Sequence, residues 1–170
     1  MRARLAGLLL SLTIAASARA DPPRLAVFDF ELVDTSLQGE VYGSKPERER
    51  LVRVGDELRR QLAESGKFAI VDIASVNVAA HGSNLQACGG CDVRFARELG
   101  ADLAMTGVVQ KVSNLILNMN VYVRDVHTGN LVAAGSVDLR GNTDESWLRA
   151  MNYLVRNGLL APNYGAQQPQ

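Results

Sequence analysis

Two runs in the second half of the chain, Asn114 to Val126 and Leu131 to Arg140, alternate apolar and polar residues with a period of two. That period belongs to half-buried β-strands, and it restricts the fold more than any other feature of the sequence. Leu115, Leu117, Met119, Val121 and Val123 share one parity, and Asn118, Asn120, Tyr122 and Arg124 share the other. Downstream, Leu131, Ala133, Gly135, Val137 and Leu139 alternate with Ser136, Asp138 and Arg140. Directly opposed residues of paired strands point to the same face. A two-residue loop at Thr128-Gly129 would pair His127 with Asn130, set Val123 opposite Ala134 and mix the faces. A three-residue loop, His127-Thr128-Gly129 with Gly129 left-handed, sets Val121 opposite Gly135 and Asn118 opposite Asp138. The second register is the one predicted. Its polar face carries Asn118, Asn120, Tyr122, Arg124, Ser136, Asp138 and Arg140. One solvated face is ordinary for an antiparallel pair; as a functional candidate the same face is a docking surface, with Tyr122 and Arg124 of the residue types enriched at hot spots.

Upstream, Arg24 to Val33 is rich in β-formers with apolar residues on both parities through Phe28, which suits one strand buried on both faces. Asp34 to Gly43 reads as loop. Ser44 stands three residues before Glu47, a capping-box spacing, with Pro46 tolerated in the first turn. Leu51, Val54, Leu58 and Leu62 then recur at helical spacing among arginines and glutamates, up to Gly66. Lys67 to Asp72 is a short second strand, which completes a βαβ unit of the usual right hand. Ile73 to Gly90 is undecided between a short helix at Ser75 to Ala80 and loop, and is the alternative to the hairpin face as a surface for a partner. Asp92 is placed to cap a helix with Val93, Phe95, Ala96 and Leu99 on its buried side, closed by Gly100. Ala101 to Val112 is a third strand in which Gly107 allows a close approach or a bulge. After the hairpin, Thr143 to Asn157 forms a last helix, capped by Asn142 or Thr143, with a stripe of Trp147, Leu148, Met151, Leu154 and Val155. The order is β-α-β-α-β-β-β-α.

The chain opens Met-Arg-Ala-Arg, continues apolar from Leu5 to Ala16 and reaches Ala18-Arg19-Ala20. A basic start, a short apolar run and an A-x-A site describe a secretory signal peptide over residues 1–20, cleaved between Ala20 and Asp21. The run is shorter than the roughly 20 residues needed to span a bilayer. Without Arg2, Arg4 and Arg19, 15 Lys and Arg stand against 18 Asp and Glu. That mild acidity gives no electrostatic case for nucleic acid or anionic lipid. Periplasmic localisation without a membrane span is the expectation. Residues 21–160 are the size of one domain. Residues 161–170 are polar and proline-bearing, and are expected to be a disordered tail.

Chemistry has few candidates. Cys88-Gly-Gly-Cys91 precedes the second helix. In an oxidising compartment this pair reads as a disulfide. Closing so short a loop contributes at most about 2 kcal/mol. The alternative is a thiol-disulfide redox protein, since a CxxC at a helix start lowers the thiol pKa. Against it, no proline lies between Pro46 and Pro162, so the proline-led strand that faces a thioredoxin-like site is missing. Asp92 follows Cys91 where haem attachment needs histidine, and His81 and His127 are too few partners for a zinc site. P-loop, GxGxxG, GxSxG and HExxH patterns are absent. Asp29 and Glu31 share a parity at the end of the first strand, which reads as a solvated strand end. No catalytic residue, metal or cofactor is assigned.

Several strings together carry a resemblance: Leu25-Ala26-Val27-Phe28-Asp29-Phe30, Ser65-Gly66-Lys67-Phe68, Val71-Asp72, Leu99-Gly100-Ala101-Asp102 before Gly107, and Arg124-Asp125-Val126-His127-Thr128-Gly129. They resemble the N-terminal domain of the translocation protein TolB, curli-secretion CsgG-type domains and the penicillin-binding-protein activator LpoB. More closely, they resemble an uncharacterised family of predicted secreted proteobacterial proteins built on a domain of unknown function. The resemblance covers nearly all the chain after residue 20, and its motifs mark architecture rather than activity. It implies an α/β fold (an α+β sandwich) with a mixed five-stranded sheet flanked by helices. It also implies an exported, non-catalytic accessory or protein-binding module whose partner is another cell-envelope protein. For the last family it further implies association with periplasmic quinoprotein alcohol-oxidation systems. The TolB propeller, a lipobox and a pore-forming segment are not found, so the specific partners of those proteins do not carry over, and the oligomeric state is left open.

Overall fold

A computed structural model describes residues 21–161. The signal peptide expected over 1–20, with Ala20 at its end, and residues 162–170 of the expected tail lie outside the described residues; Asp21 is the first one inside. The elements are β1 (Arg24–Val27), β2 (Glu31–Asp34), α1 (Leu37–Tyr42), α2 (Lys45–Glu64), β3 (Ala69–Val71), α3 (Asn77–His81), α4 (Cys91–Glu98), β4 (Leu103–Lys111), β5 (Leu117–Asp125), β6 (Leu131–Leu139) and α5 (Asp144–Leu154), the last running into a π-helical turn at Val155–Leu159. The fold is the expected mixed α/β class. The sheet runs β3-β1-β4-β5-β6, with β2 also paired to β4, which makes six strands rather than five.

The extra strand comes from a break in the first. β1 lies parallel to β4 with Leu25 opposite Leu103, and β2 resumes on the same strand with Glu31 opposite Val108. One more residue is used on the β1–β2 side than on β4: Phe28 N still donates to Met105 O at 2.9 Å, and Asp29 and Phe30 leave the ladder. Phe30 explains the detour. Its ring lies over Gly107, where any Cβ would come within 2.4–2.6 Å of ring carbons. Gly107 is thus the close approach anticipated from the sequence.

α2 buries Leu51, Val54, Leu58 and Leu62 as their spacing requires, against β1, β4, β5 and α5. Each such side chain contributes about 1.5–3 kcal/mol. Trp147 is fully buried in that core, beside Ala150, Met151 and Leu154. Leu148, expected in the stripe, is instead partly exposed. The opposite face of the sheet carries a smaller core of Ala26, Phe28, Ala104 and Val126 under α3 and α4, with Val76, Leu85 and Phe95.

The hairpin has the predicted register, Val121 opposite Gly135 and Asn118 opposite Asp138. Its turn does not have the predicted length. Asp125 N donates to Asn130 O at 2.9 Å and Gly129 N donates to Asp125 O at 2.8 Å, which leaves the four residues Val126 to Gly129 as the loop. Val123 pairs with Ala133 and Arg124 with Leu131, so Val132 is the bulged residue that restores the register. Two interactions favour the longer loop. Val126 is buried under α4 with its N–H on Asp102 O (2.9 Å), and Asp125 Oδ1 accepts from the N–H groups of His127 and Thr128 in an Asx-type turn. Gly129 is left-handed, at φ +74°.

Other boundaries shift for local reasons. α1 forms in the stretch expected as loop, because Ser36 Oγ caps it by accepting from Gly39 N at 3.0 Å. α4 starts from left-handed Gly90 rather than an Asp92 cap. Thr143 caps α5, accepting from Ser146 N at 3.2 Å.

Candidate functional site

β3 stops at Val71, opposite Ala26. Asp72 Oδ1 then accepts from Ala74 N (2.9 Å) and the chain turns away. Among the described residues, β2 therefore has β4 along one edge and no strand along the other. α2 on one side and residues 77–87 on the other enclose a groove of about 880 Å³ along this edge. That volume falls in the roughly 300–1,000 Å³ range of ligand clefts. Arg48, Leu51 and Val52 of α2 form one wall; Ala80, His81 and Leu85 belong to the other. The position follows from topology. The connections leaving β1 and β3 carry the chain to opposite sides of β1, so the crevice lies past the carboxyl end of the strand where the winding reverses.

At the near end of the groove, Asp29 joins three elements. One carboxylate oxygen accepts from Arg59 Nη2 of α2, and the other meets His81 Nε2 of α3 at 2.8 Å. Arg59 Nε and Nη2 also donate to Val27 O, both at 3.1 Å, satisfying the carbonyl that β3 ends too soon to reach. Glu31 Oε1 accepts from Leu85 N at 2.8 Å and holds the second wall to the strand. The sequence predicts a solvated strand end at Asp29 and Glu31, with no histidine partner. The structure supplies one from 52 residues away, and Asp29 lies in the break, where strand parity does not apply. A carboxylate-oriented imidazole is half of a nucleophile-activating pair. The hydroxyls lining the groove are engaged elsewhere: Ser44 donates to Asp34 (2.6 Å) and Ser83 to Ala79 O (2.9 Å). The arrangement orients the imidazole and neutralises the carboxylate, and among the described residues no hydroxyl is hydrogen-bonded to that imidazole.

At the far end a second polar cluster is closed. Lys111 Nζ lies 2.6 Å from Glu47 Oε1 and 3.2 Å from Asp34 Oδ2, with side-chain exposures of 0% for the lysine, 3% for Glu47 and 6% for Asp34. Asp34 also accepts from Ser36 Oγ and Ser44 Oγ, each at 2.6 Å. Asn142 donates to Glu47 (2.6 Å) and accepts from Trp147 Nε1 (3.0 Å). The expected capping box is not made, because Ser44 and Glu47 serve this network instead. Burial works against charge on Asp34 and Glu47. Hydrogen bonds from Ser36 and Ser44 to Asp34, and from Lys111 and Asn142 to Glu47, outweigh it and hold both carboxyls below the usual range. Burial likewise works against the Lys111 ammonium, and its two carboxylate partners raise its pKa.

The polar hairpin face is assembled, and part of it is occupied. Asn118 Nδ2 donates to Asp138 (2.8 Å) and Ser136 (3.1 Å), and Asn120 donates to Asn118. Arg124 lies 3.4 Å from the buried Asp92 of α4 and donates to Gly129 O. Tyr122 is half-buried and Arg140 exposed. Cys88 and Cys91 are joined as a disulfide, with Cα atoms 5.7 Å apart, which ties the end of the 77–87 wall to the start of α4. Among the described residues no cluster of three or more His, Cys, Asp or Glu could hold a metal ion, and no helix is long and apolar enough to cross a membrane.

Comparison with known proteins bears on the fold. The DUF3280 family model, described as protein of unknown function (DUF2380), matches residues 23–159. No curated protein matches the chain. Among solved structures, the LpoB C-terminal domain from Salmonella enterica is similar at 18% identity and TM-score 0.52, over 74% of this chain and 87% of that one. The LpoB C-terminal domain from Escherichia coli gives 19% and 0.52, over 73% and 87%. A lipoprotein from Neisseria meningitidis, GNA1162, gives 16% and 0.50, over 80% and 95%.

Proposed function

The chain belongs to the DUF3280 family, and from that premise and the groove along β2 we propose that it is an exported cell-envelope module that binds another polypeptide without catalysing a reaction on it. The observation that carries this reading is the groove itself: a large cleft with apolar residues in its walls, whose carboxylates and serine hydroxyls already have hydrogen-bond partners within the fold. A catalytic cleft needs a group poised to attack or to move a proton; a binding cleft needs shape and exposed apolar surface. Val52 of α2 and Val33 of β2, both exposed, supply the second, with Leu51 and Leu85 behind them. The fold shared with LpoB and the Neisseria lipoprotein supports the envelope setting. In this reading the disulfide holds one wall of the groove in place.

The polar hairpin face is the competing surface, and one experiment separates the two. A photo-crosslinking amino acid is placed at Val52, exposed on the groove wall, or at Tyr122 on the hairpin, and irradiated in the cell that exports the protein. A discrete adduct from Val52 and none from Tyr122 is the expected result. Adducts from Tyr122 alone would move the function to the hairpin.

A further inference from the structure

Resting on the reading of the groove as a polypeptide site, we propose that it is a vacant strand position. An extended segment of the partner adds to the open edge of β2 as a further strand and sets an acidic side chain against Arg48.

The argument begins with the backbone. β2 pairs with β4 along its whole length, Glu31 opposite Val108 through Asp34 opposite Lys111. Just beyond, Thr35 N donates to Lys111 O at 2.9 Å. Alternation along a strand then turns the amide and carbonyl of Glu31, Val33 and Thr35 toward β4 and those of Leu32 and Asp34 outward. One step upstream in the same row, the outward carbonyl of Val27 is met by Arg59. Nothing among the described residues plays that part for Leu32. An open row of donors and acceptors is a template for another strand, and proteins use it to capture extended peptides.

The surroundings fit a strand better than a compact ligand. The slot continues the row of β3, which ends at Val71 opposite Ala26, so a guest would lengthen an existing row rather than found a new one. Side chains of a strand leave alternately to its two faces. Here one face meets Leu51 and Val52 of α2 and the other meets Ala80 and Leu85. Charge selects among extended segments. Asp29 is matched by Arg59 and His81, Glu31 is held by Leu85 N–H, and Asp34 belongs to the Lys111 cluster. Arg48 lines the groove, and no side chain among the described residues pairs with its guanidinium. Arg48 is thus a cation of the lining with no carboxylate beside it among the described residues, so the guest residue it meets is acidic.

The test uses random twelve-residue peptides displayed on phage, selected on the full chain with its disulfide formed. The expected winners alternate apolar residues with one Asp or Glu in fixed register. N-methylation of a winning synthetic peptide should weaken binding at least tenfold at every second backbone position and little at those between. Arg48→Glu should cost an acidic winner at least tenfold, and Val52→Trp, which fills the groove, should abolish binding. If Val52→Trp abolishes binding but N-methylation shows no alternation, the strand reading falls and the groove stands as a peptide site. If binding survives Val52→Trp, both readings fall. Failure to enrich any peptide overturns the strand proposal in favour of a small-molecule ligand.

Discussion

The two polar clusters at the ends of the β1–β2 run have similar ingredients and opposite settings. At Asp34 a carboxylate, a second carboxylate and a lysine are sealed, with exposures of 0–6%, and Ser36 and Ser44 are buried with them. At Asp29 a carboxylate, an arginine and a histidine are exposed by 33%, 23% and 59%. The first clamps the start of α2, the end of β4 and the loop before α5 into one unit. The second bridges α2 and α3 across the groove and leaves room between them. Attraction between charges does little for stability in water, whereas a buried charge that loses its partner costs a great deal. The closed cluster therefore belongs to stability, and the open one to the shape of the cleft.

The most direct way to break this contrast is to remove one member from each cluster. Lys111→Met should cost about 3–5 kcal/mol, because Asp34 and Glu47 stay buried without their cation. Asp29→Asn should cost under about 1 kcal/mol. Urea melts of the two variants measure both, and equal losses would show that the distinction is empty. Acid gives the same contrast a sign. Asp34 and Glu47 have folded pKa values below their unfolded ones, so their contribution is present above the unfolded value of about 4. It is lost as pH falls below that toward the folded values. Lys111, shifted upward, keeps its contribution at neutral pH and loses it only when pH rises through its folded value. Wild-type stability should thus fall below about pH 4, and the fall should be smaller in Lys111→Met.

Between the clusters, Phe30 over Gly107 sets the break between β1 and β2 beside the groove. Gly107→Ala forces the ring aside, and overpacking of this kind costs about 1–3 kcal/mol. Shortening the neighbour should return part of it: Gly107→Ala with Phe30→Leu is expected to be less destabilised than the sum of the two single variants. Additive losses in that cycle would mean that the ring moves away freely and does not hold the break.

How much of this was legible depends on the range over which each residue is determined. The hairpin register was readable because alternation is local and tolerates no slip of one residue. The turn was not, since Val132 adds a residue on one strand while Val126 lengthens the loop, and the two changes cancel in the pattern. The break at Asp29 and Phe30 left no trace, because an apolar run reads alike whether its members pair with a neighbour or fold over a glycine. Ser44 and Glu47 had the spacing of a capping box. What diverted them was Lys111, a lysine ending an apolar strand that calls for buried partners. The groove was the least accessible feature, since it exists only because β3 is short and because Asp29 meets His81 across 52 residues. Residues 73–90 stand in the sequence as a candidate surface undecided between a short helix and loop, with nothing local to show that they wall a groove.

Reducing the disulfide should have a smaller effect. The four-residue loop it closes is worth at most about 2 kcal/mol. Its chief consequence should be local, a faster amide exchange over residues 77–87, with the Lys111 cluster unaffected. Exchange that speeds up equally at β4 and at the wall would make the bridge a global staple instead.

The smallest expected effect is the most specific to the open cluster. His81→Ala removes a contact to Asp29 from a mostly exposed side chain, so melting should shift by no more than about 0.5 kcal/mol. Arg59 still neutralises Asp29 and still caps Val27 O, so α2 and β1 should keep their exchange rates. α3 loses a tie to the strand break, while Glu31 to Leu85 N–H remains one link to the sheet. Amide exchange over Asn77 to Gly82 should therefore quicken while Leu85 stays protected. If both speed up together, the wall is one cooperative unit held by His81. If neither changes, the histidine contact has no structural role, and the shape of the groove rests on Glu31 and the disulfide.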